Sequence, residues 1–128
     1  SAVAKGTDTI RAVEDEDAVR RLTIRIPRSL GYTTMEACHG GEGLNVCAQY
    51  KGRLDLIITD MIMPQVSGKQ FIEELRRTRN DFKVLFVSGY SSEDTVNGQV
   101  VGVDTPLIQK PFTREGLARK VREILDAR

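Results

Sequence analysis

Short apolar runs alternate with longer amphipathic segments along the whole chain, and this alternation limits the folds open to it. Ile10–Val13, Thr33–Cys38, Leu54–Thr59, Lys83–Ser88 and Pro106–Gln109 read as strands. Between and after them, Asp17–Leu30, Gly43–Tyr50, Ser67 or Gly68 to Arg79, a weak Ser92–Val100 and a closing Thr113–Ala127 read as helices. Inward helical stripes are expected at Val19, Leu22, Ile26 and Leu30, at Phe71, Ile72 and Leu75, and at Leu117, Val121, Ile124 and Leu125. Leu56-Ile57-Ile58 and Val84-Leu85-Phe86-Val87 are near-continuous apolar runs, as strands of a parallel sheet covered on both faces must be. Alternation at this spacing implies right-handed βαβ crossovers. The expected fold is α/β: a doubly wound, five-stranded parallel sheet in the order 2-1-3-4-5, flavodoxin-like, with helices on both faces.

At 128 residues the chain has room for one domain, expected over residues 8–128, with residues 1–7 a linker remnant. A net charge of +1 and the absence of a basic run argue against nucleic acid as a partner. No apolar stretch is long enough to cross a membrane and no leader peptide is visible, so a cytoplasmic domain without membrane contact is expected. Cys38 and Cys47 lack CxxC spacing and His39 is the single histidine, so a zinc site and histidine-based hydrolysis are both disfavoured. Both thiols are expected to be buried, and His39 to be a loop residue.

In a sheet of this order, strands one and three are neighbours and their carboxyl ends meet at the switch point. Strand one ends in Glu14-Asp15, strand three in Asp60, strand four in Ser88, and Lys110 follows strand five. Carboxylates brought that close repel and raise one another's pKa, a cost that a hard divalent cation removes. Mg2+, which takes oxygen ligands and keeps several waters, suits the set. An aspartate there can act as a nucleophile towards phosphorus, with Lys110 and the Ser88 hydroxyl stabilising the transferred group.

Val13-Glu14-Asp15-Glu16, Thr59-Asp60-Met61 with Met63-Pro64 and Gly68, Val87-Ser88-Gly89-Tyr90, and Lys110-Pro111-Phe112 occur in this order, each at a strand end. Together they resemble the receiver domain of response regulators over residues 8 to 127. The resemblance implies that Asp60 is the phosphoacceptor, with Asp15 a direct Mg2+ ligand. Glu14 would hold metal-bound water and the Ile62 carbonyl would complete the coordination. Ser88 and Lys110 would contact the phosphoryl group, and a cis bond is expected at Lys110-Pro111. The implied phosphodonor is a phosphohistidine on a histidine kinase or a histidine phosphotransfer domain. The chain would catalyse its own phosphorylation and dephosphorylation without being a free-standing enzyme, as a monomer or weak dimer. Thr59 to Pro64, Ser67-Gly68 and Val87 to Ser91 are most like the C-terminal receiver of a hybrid histidine kinase.

Several positions depart from the family pattern. Arg11 replaces an apolar strand residue and is expected to snorkel or to find a carboxylate. Pro27 is expected to kink the first helix or end it early. Leu107 stands at a switch position that usually carries an aromatic ring, so switching through an aromatic swing is lost. Asn97-Gly98 and several valines weaken the Ser92–Val100 helix. Arg76, Arg77 and Arg79 read as a solvated helix face.

Three other functions compete. One is a phosphorylation-independent docking module. A second is an aspartyl-phosphate hydrolase, which usually carries a second aspartate two residues after the nucleophile, where this chain has Ile62. The third is a flavin carrier, disfavoured by acidic Glu14-Asp15 where a phosphate loop would lie.

Overall fold

Backbone pairing in the computed structural model, which describes residues 8–63, 66–89 and 106–127, joins five parallel strands in the order β2-β1-β3-β4-β5. The strands are β1 (Thr9–Val13), β2 (Thr33–Ala37), β3 (Leu56–Asp60), β4 (Lys83–Ser88) and β5 (Leu107–Gln109). The described helices are α1 (Asp17–Ser29), α2 (Gly40–Gln49), α3 (Gly68–Leu75) and α4 (Arg114–Asp126). The expected Ser92–Val100 helix lies outside the described residues.

Side chains alternate across the sheet with the two-residue period of a strand. Ile10, Leu56, Ile58, Leu85 and Val87 pack on one face with Ile26 and Leu30 at α1 and Leu117, Val121 and Ile124 of α4. Val13, Ile57, Val84 and Phe86 pack on the other with Cys47 of α2 and Phe71, Ile72 and Leu75 of α3. Each fully buried Leu, Ile or Phe contributes roughly 1.5–3 kcal/mol, so β3, buried on both faces along its length, anchors the domain. Its last residue, Asp60, is held in place by that burial.

Local structure departs from the sequence pattern where polar contacts override it. In α1 the buried face is Thr23, Ile24, Ile26 and Pro27, while Leu22 is exposed. The inward arc is thus shifted from the expected stripe. Pro27 does not stop the helix, which runs on to Ser29, one residue short of the expected Leu30. It lies in the last turn, where the Tyr32 and Gly31 N–H groups donate to the Pro27 and Arg28 carbonyls at 3.2 and 3.1 Å. Gly31 is at φ 97°. This is a Schellman-type stop that requires a left-handed residue, and glycine adopts it without a Cβ clash.

Helix α2 begins three residues earlier than expected because His39 caps it. The Glu42 N–H donates to His39 Nδ1 at 3.1 Å, so His39 is a capping residue as well as an exposed one. Cys47 is buried, whereas Cys38 is only half-buried. Helix α3 opens with a capping box between Ser67 and Gln70 and closes at Leu75, short of the expected Arg79.

Arg79 is no solvated helix residue. Its guanidinium donates to the carbonyls of Cys47, Tyr50 and Gly52 at 2.7, 2.9 and 2.9 Å. It also forms a two-pronged pair with Asp81 at 2.7 and 2.6 Å. Asp81 in turn accepts the Leu54 N–H at 3.1 Å. One side chain therefore ties the end of α2, the approach to β3 and the approach to β4. The Arg79 hydrogen bond holds the Asp81 carboxyl well below its usual range, at about 2.

Arg11 also departs from expectation, because it neither snorkels nor meets a carboxylate. It is only 2% exposed, and Nη2 donates to the Met35 sulfur at 3.1 Å. Its Nε has no acceptor among the described residues, and burial lowers its pKa despite the Cys47 sulfur beside it.

Candidate functional site

The carboxyl ends of β1 and β3 meet as the strand order requires. Glu14 directly follows β1, and its N–H still donates to the Ala37 carbonyl at 3.1 Å, so sheet pairing fixes its backbone. Arg20 on α1 donates to the Glu14 carbonyl at 3.0 Å. Asp60 closes β3, and the Met61 N–H continues the ladder to Val87 at 3.0 Å. The turn after Asp60 then folds back onto Gly68, whose N–H donates to the Met61 carbonyl at 2.9 Å. A Cβ on Gly68 would stand 2.1 Å from the Asp60 carbonyl oxygen. Glycine is required there for close approach rather than for an unusual dihedral angle.

Glu14, Asp15 and Asp60 each offer a carboxylate oxygen, and these oxygens lie within 4.8 Å of one another. Asp60 Oδ1 accepts the Ile62 N–H at 3.1 Å and Oδ2 accepts from Lys110 Nζ at 3.2 Å. Lys110 Nζ is also 3.4 Å from Glu14 Oε1 and 3.8 Å from Glu16 Oε1. Its backbone N–H donates to the Ser88 carbonyl at 3.0 Å, and the Lys110-Pro111 bond is cis, as expected. The ends of β4 and β5 thereby set Lys110 beside the acidic cluster.

Two buried oxygens in this arrangement make no close hydrogen bond among the described residues: Ser88 Oγ, and Glu14 Oε1, which has only the 3.4 Å ionic contact with Lys110. Under-satisfied buried oxygens are costly inside a protein. Glu14 is 3% exposed, and its carboxyl is pushed up to about 8. Burial is the main cause and the charge of Asp60 comes next; Lys110 offsets them only in part. The repulsion expected from the sequence is present, with Asp60 raising the Glu14 carboxyl, and burial adds the larger share. Burial also works against the Lys110 charge, but the carboxylates of Asp60 and Glu14 outweigh it and hold the ammonium above its ordinary value. An all-oxygen donor set with one under-satisfied, reluctantly ionised carboxylate fits a hard divalent cation such as Mg2+.

The remaining expected positions lie close by or at the sheet edge. Asp15 is exposed at the mouth of the cluster. Ile62 follows the turn and is 46% exposed. Leu107 is half-buried on β5 against the Phe71 and Phe86 cluster. The sequence patterns assigned no role to Glu16, Arg20 or Arg79. For Arg20 the available signal was Asp17 three residues earlier, to which it pairs at 2.6 Å. For Arg79 there was none, because its acceptors are backbone carbonyls far away in sequence.

Comparison with known proteins identifies the family. A model of the response regulator receiver domain matches residues 10–122. Sensor kinase CckA of Brucella abortus is 37% identical over 94% of this chain and 13% of its own length. The probable transcriptional regulator ycf27 of Cyanidium caldarium is 31% identical over 88% of this chain and 44% of its own. The chain thus spans less than half of either relative. Among solved structures, the receiver domain of the hybrid histidine kinase CckA superposes with a TM-score of 0.76 at 31% identity, covering 92% of this chain and 99% of that one. The response regulator TrrA of Thermotoga maritima, in complex with Mg2+ and BeF, superposes with a TM-score of 0.74 at 28% identity, covering 92% and 99%. The carboxylate cluster at the β1–β3 switch point, the lysine after β5 and the match along nearly the whole sheet place this chain in the response regulator receiver domain family.

Proposed function

We propose that this domain accepts a phosphoryl group from a phosphohistidine onto Asp60, with Mg2+ held by Asp15, Asp60 and the Ile62 carbonyl, and by Glu14 through water. The observation that carries the reading is the convergence of Glu14, Asp15 and Asp60 beside Lys110, with Ser88 Oγ buried and unpartnered among the described residues in the same region. When bound, the cation would neutralise charge on the carboxylates and on the incoming phosphoryl oxygens.

The chain's own residues do the rest. β3 burial and the Ile62 N–H orient the Asp60 carboxylate, so its reactive oxygen is positioned before the donor arrives. The Asp60 oxygen bonds to phosphorus as the P–N bond to the donor imidazole breaks, leaving an aspartyl phosphate and a neutral histidine once that nitrogen gains a proton. Lys110, only 8% exposed, supplies a fixed positive charge for the transferred oxygens, and the free Ser88 hydroxyl supplies a hydrogen bond. Ile62 carries no acid, so no proton donor is present at the position that phosphatases of this chemistry use. Leu107, in register with Phe86 on β4, cannot repeat an aromatic swing.

The likeness to the CckA receiver supports a parent hybrid histidine kinase, and a kinase or histidine phosphotransfer domain as partner. No helix among the described residues is long and apolar enough to cross a membrane, in keeping with a cytoplasmic domain. The test is intact-mass analysis after incubation with acetyl phosphate and Mg2+, with and without chelator. One Mg2+-dependent phosphoryl adduct is expected in wild type and none in Asp60→Asn. Equal labelling of the two would overturn the assignment. An unlabelled wild type that also fails to bind beryllofluoride would favour the docking-module reading.

A further inference from the structure

Lys110 Nζ faces three carboxylates, and they are not equivalent. Asp60 and Glu14, at 3.2 and 3.4 Å, belong to the cluster that fits a cation. Glu16, at 3.8 Å, lies outside it. Any cation in that cluster competes with Lys110 for Asp60 and Glu14, and leaves Glu16 as the partner it does not draw on. Glu16 also stands at the N-cap of α1, yet its side chain makes no capping hydrogen bond. Its backbone N–H donates to Glu14 Oε2 at 3.1 Å, which fixes residue 16 relative to the site. We infer that Glu16 is a positioning residue that keeps the Lys110 ammonium at the phosphoacceptor when the cation cluster is filled.

This inference rests on the phosphoacceptor reading of Asp60. Without Glu16, a Lys110 loosened from Asp60 and Glu14 would lose its remaining direct ionic partner among the described residues, and the charge meant for the phosphoryl oxygens would spread over several side-chain positions. Glu16 is 56% exposed, so its pull is that of a half-solvated pair and weakens with salt.

The test compares wild type, Glu16→Gln and Glu16→Asp at saturating Mg2+. One readout is the initial rate of acetyl phosphate labelling. The other is the Nζ resonance of Lys110 in a 15N-lysine spectrum without phosphodonor, assigned by its loss in Lys110→Arg. Glu16→Gln is expected to slow labelling about two- to fivefold at low ionic strength, as removal of a half-solvated ion pair should. The effect should shrink at high salt, and Glu16→Gln should move the Lys110 resonance, with Glu16→Asp recovering part of both. A slower rate with an unmoved resonance would overturn the inference, as would an unchanged rate in a labelling-competent protein. If wild type does not label at all, the phosphoacceptor reading fails by itself. The resonance then still decides whether Glu16 holds Lys110: an unmoved signal overturns the positioning role and a shifted one supports it.

Discussion

Replacing Glu14 by glutamine should make the cation-free protein more stable and less able to bind Mg2+. Glu14 is buried, one of its oxygens has only a 3.4 Å ionic contact with Lys110 among the described residues, and its carboxyl is pushed up from 4.5 to about 8. A carboxyl raised in the folded state binds its proton more tightly there than in the unfolded chain. Its favourable contribution is therefore fully present below pH ~4.5, declines as pH rises, and is lost by about pH 8. At ~1.4 kcal/mol for each pH decade, the interval from 4.5 to about 8 bounds the loss at roughly 5 kcal/mol. Glutamine removes the charge that causes it but also gives up the Lys110 contact at 3.4 Å, so a net gain of about 1–3 kcal/mol at pH 8 is expected. Urea titrations in chelator, from pH 5 to pH 9, measure it directly. Wild type should lose stability across this range and Glu14→Gln should lose much less. Mg2+ should restore wild type more than the mutant, because binding to the folded state alone stabilises by mass action. A Glu14→Gln protein less stable than wild type at pH 8 in chelator would refute the reasoning. It would mean that Glu14 is a net stabiliser through Lys110 rather than a buried liability.

Three further perturbations test other parts of the structure. Arg79→Ala removes the clamp on three carbonyls and the Asp81 pair, and should cost about 2–4 kcal/mol in a denaturant titration. Because Asp81 is held at about 2, wild-type stability from this pair should persist above its ordinary 3.8 and fade as pH falls through 2, a slope that Arg79→Ala should lack. Arg11→Met replaces a buried cation whose Nε has no acceptor among the described residues, and should leave stability unchanged or raise it by ~1–3 kcal/mol; a large loss would show that the Met35 and Cys47 contacts outweigh burial. Gly68→Ala puts a Cβ 2.1 Å from the Asp60 carbonyl, so it should cost about 1–3 kcal/mol and slow Asp60 labelling. Unaltered labelling kinetics would show that the turn after β3 tolerates displacement.

The β-α alternation and the residues at the strand ends were legible in the sequence because both rest on local pattern. A parallel strand buried on two faces needs an apolar run such as Leu56-Ile57-Ile58, and the strand count with its connections leaves few orders for the sheet. Once β1 and β3 are neighbours, Glu14, Asp15 and Asp60 must approach one another, whatever their side chains do. What failed was the reading of long polar side chains. Arg79 looked solvated because its neighbours in sequence are polar, but its partners are carbonyls up to 32 residues away. Arg11 looked unable to stay buried, yet the Met35 sulfur on the adjacent strand accepts from it.

The order of the sheet and the acidic character of its carboxyl edge were thus determined by the sequence alone. Only tertiary packing decided that Glu14 should be deeply buried and reluctant to ionise, that Lys110 should face three carboxylates, and that Arg79 should tie the end of α2 to the approaches to β3 and β4. The physical reason is one of range. Hydrophobic periodicity and turn chemistry act between near neighbours in the chain, whereas desolvation and the pairing of charges depend on which distant segments exclude water from the same place.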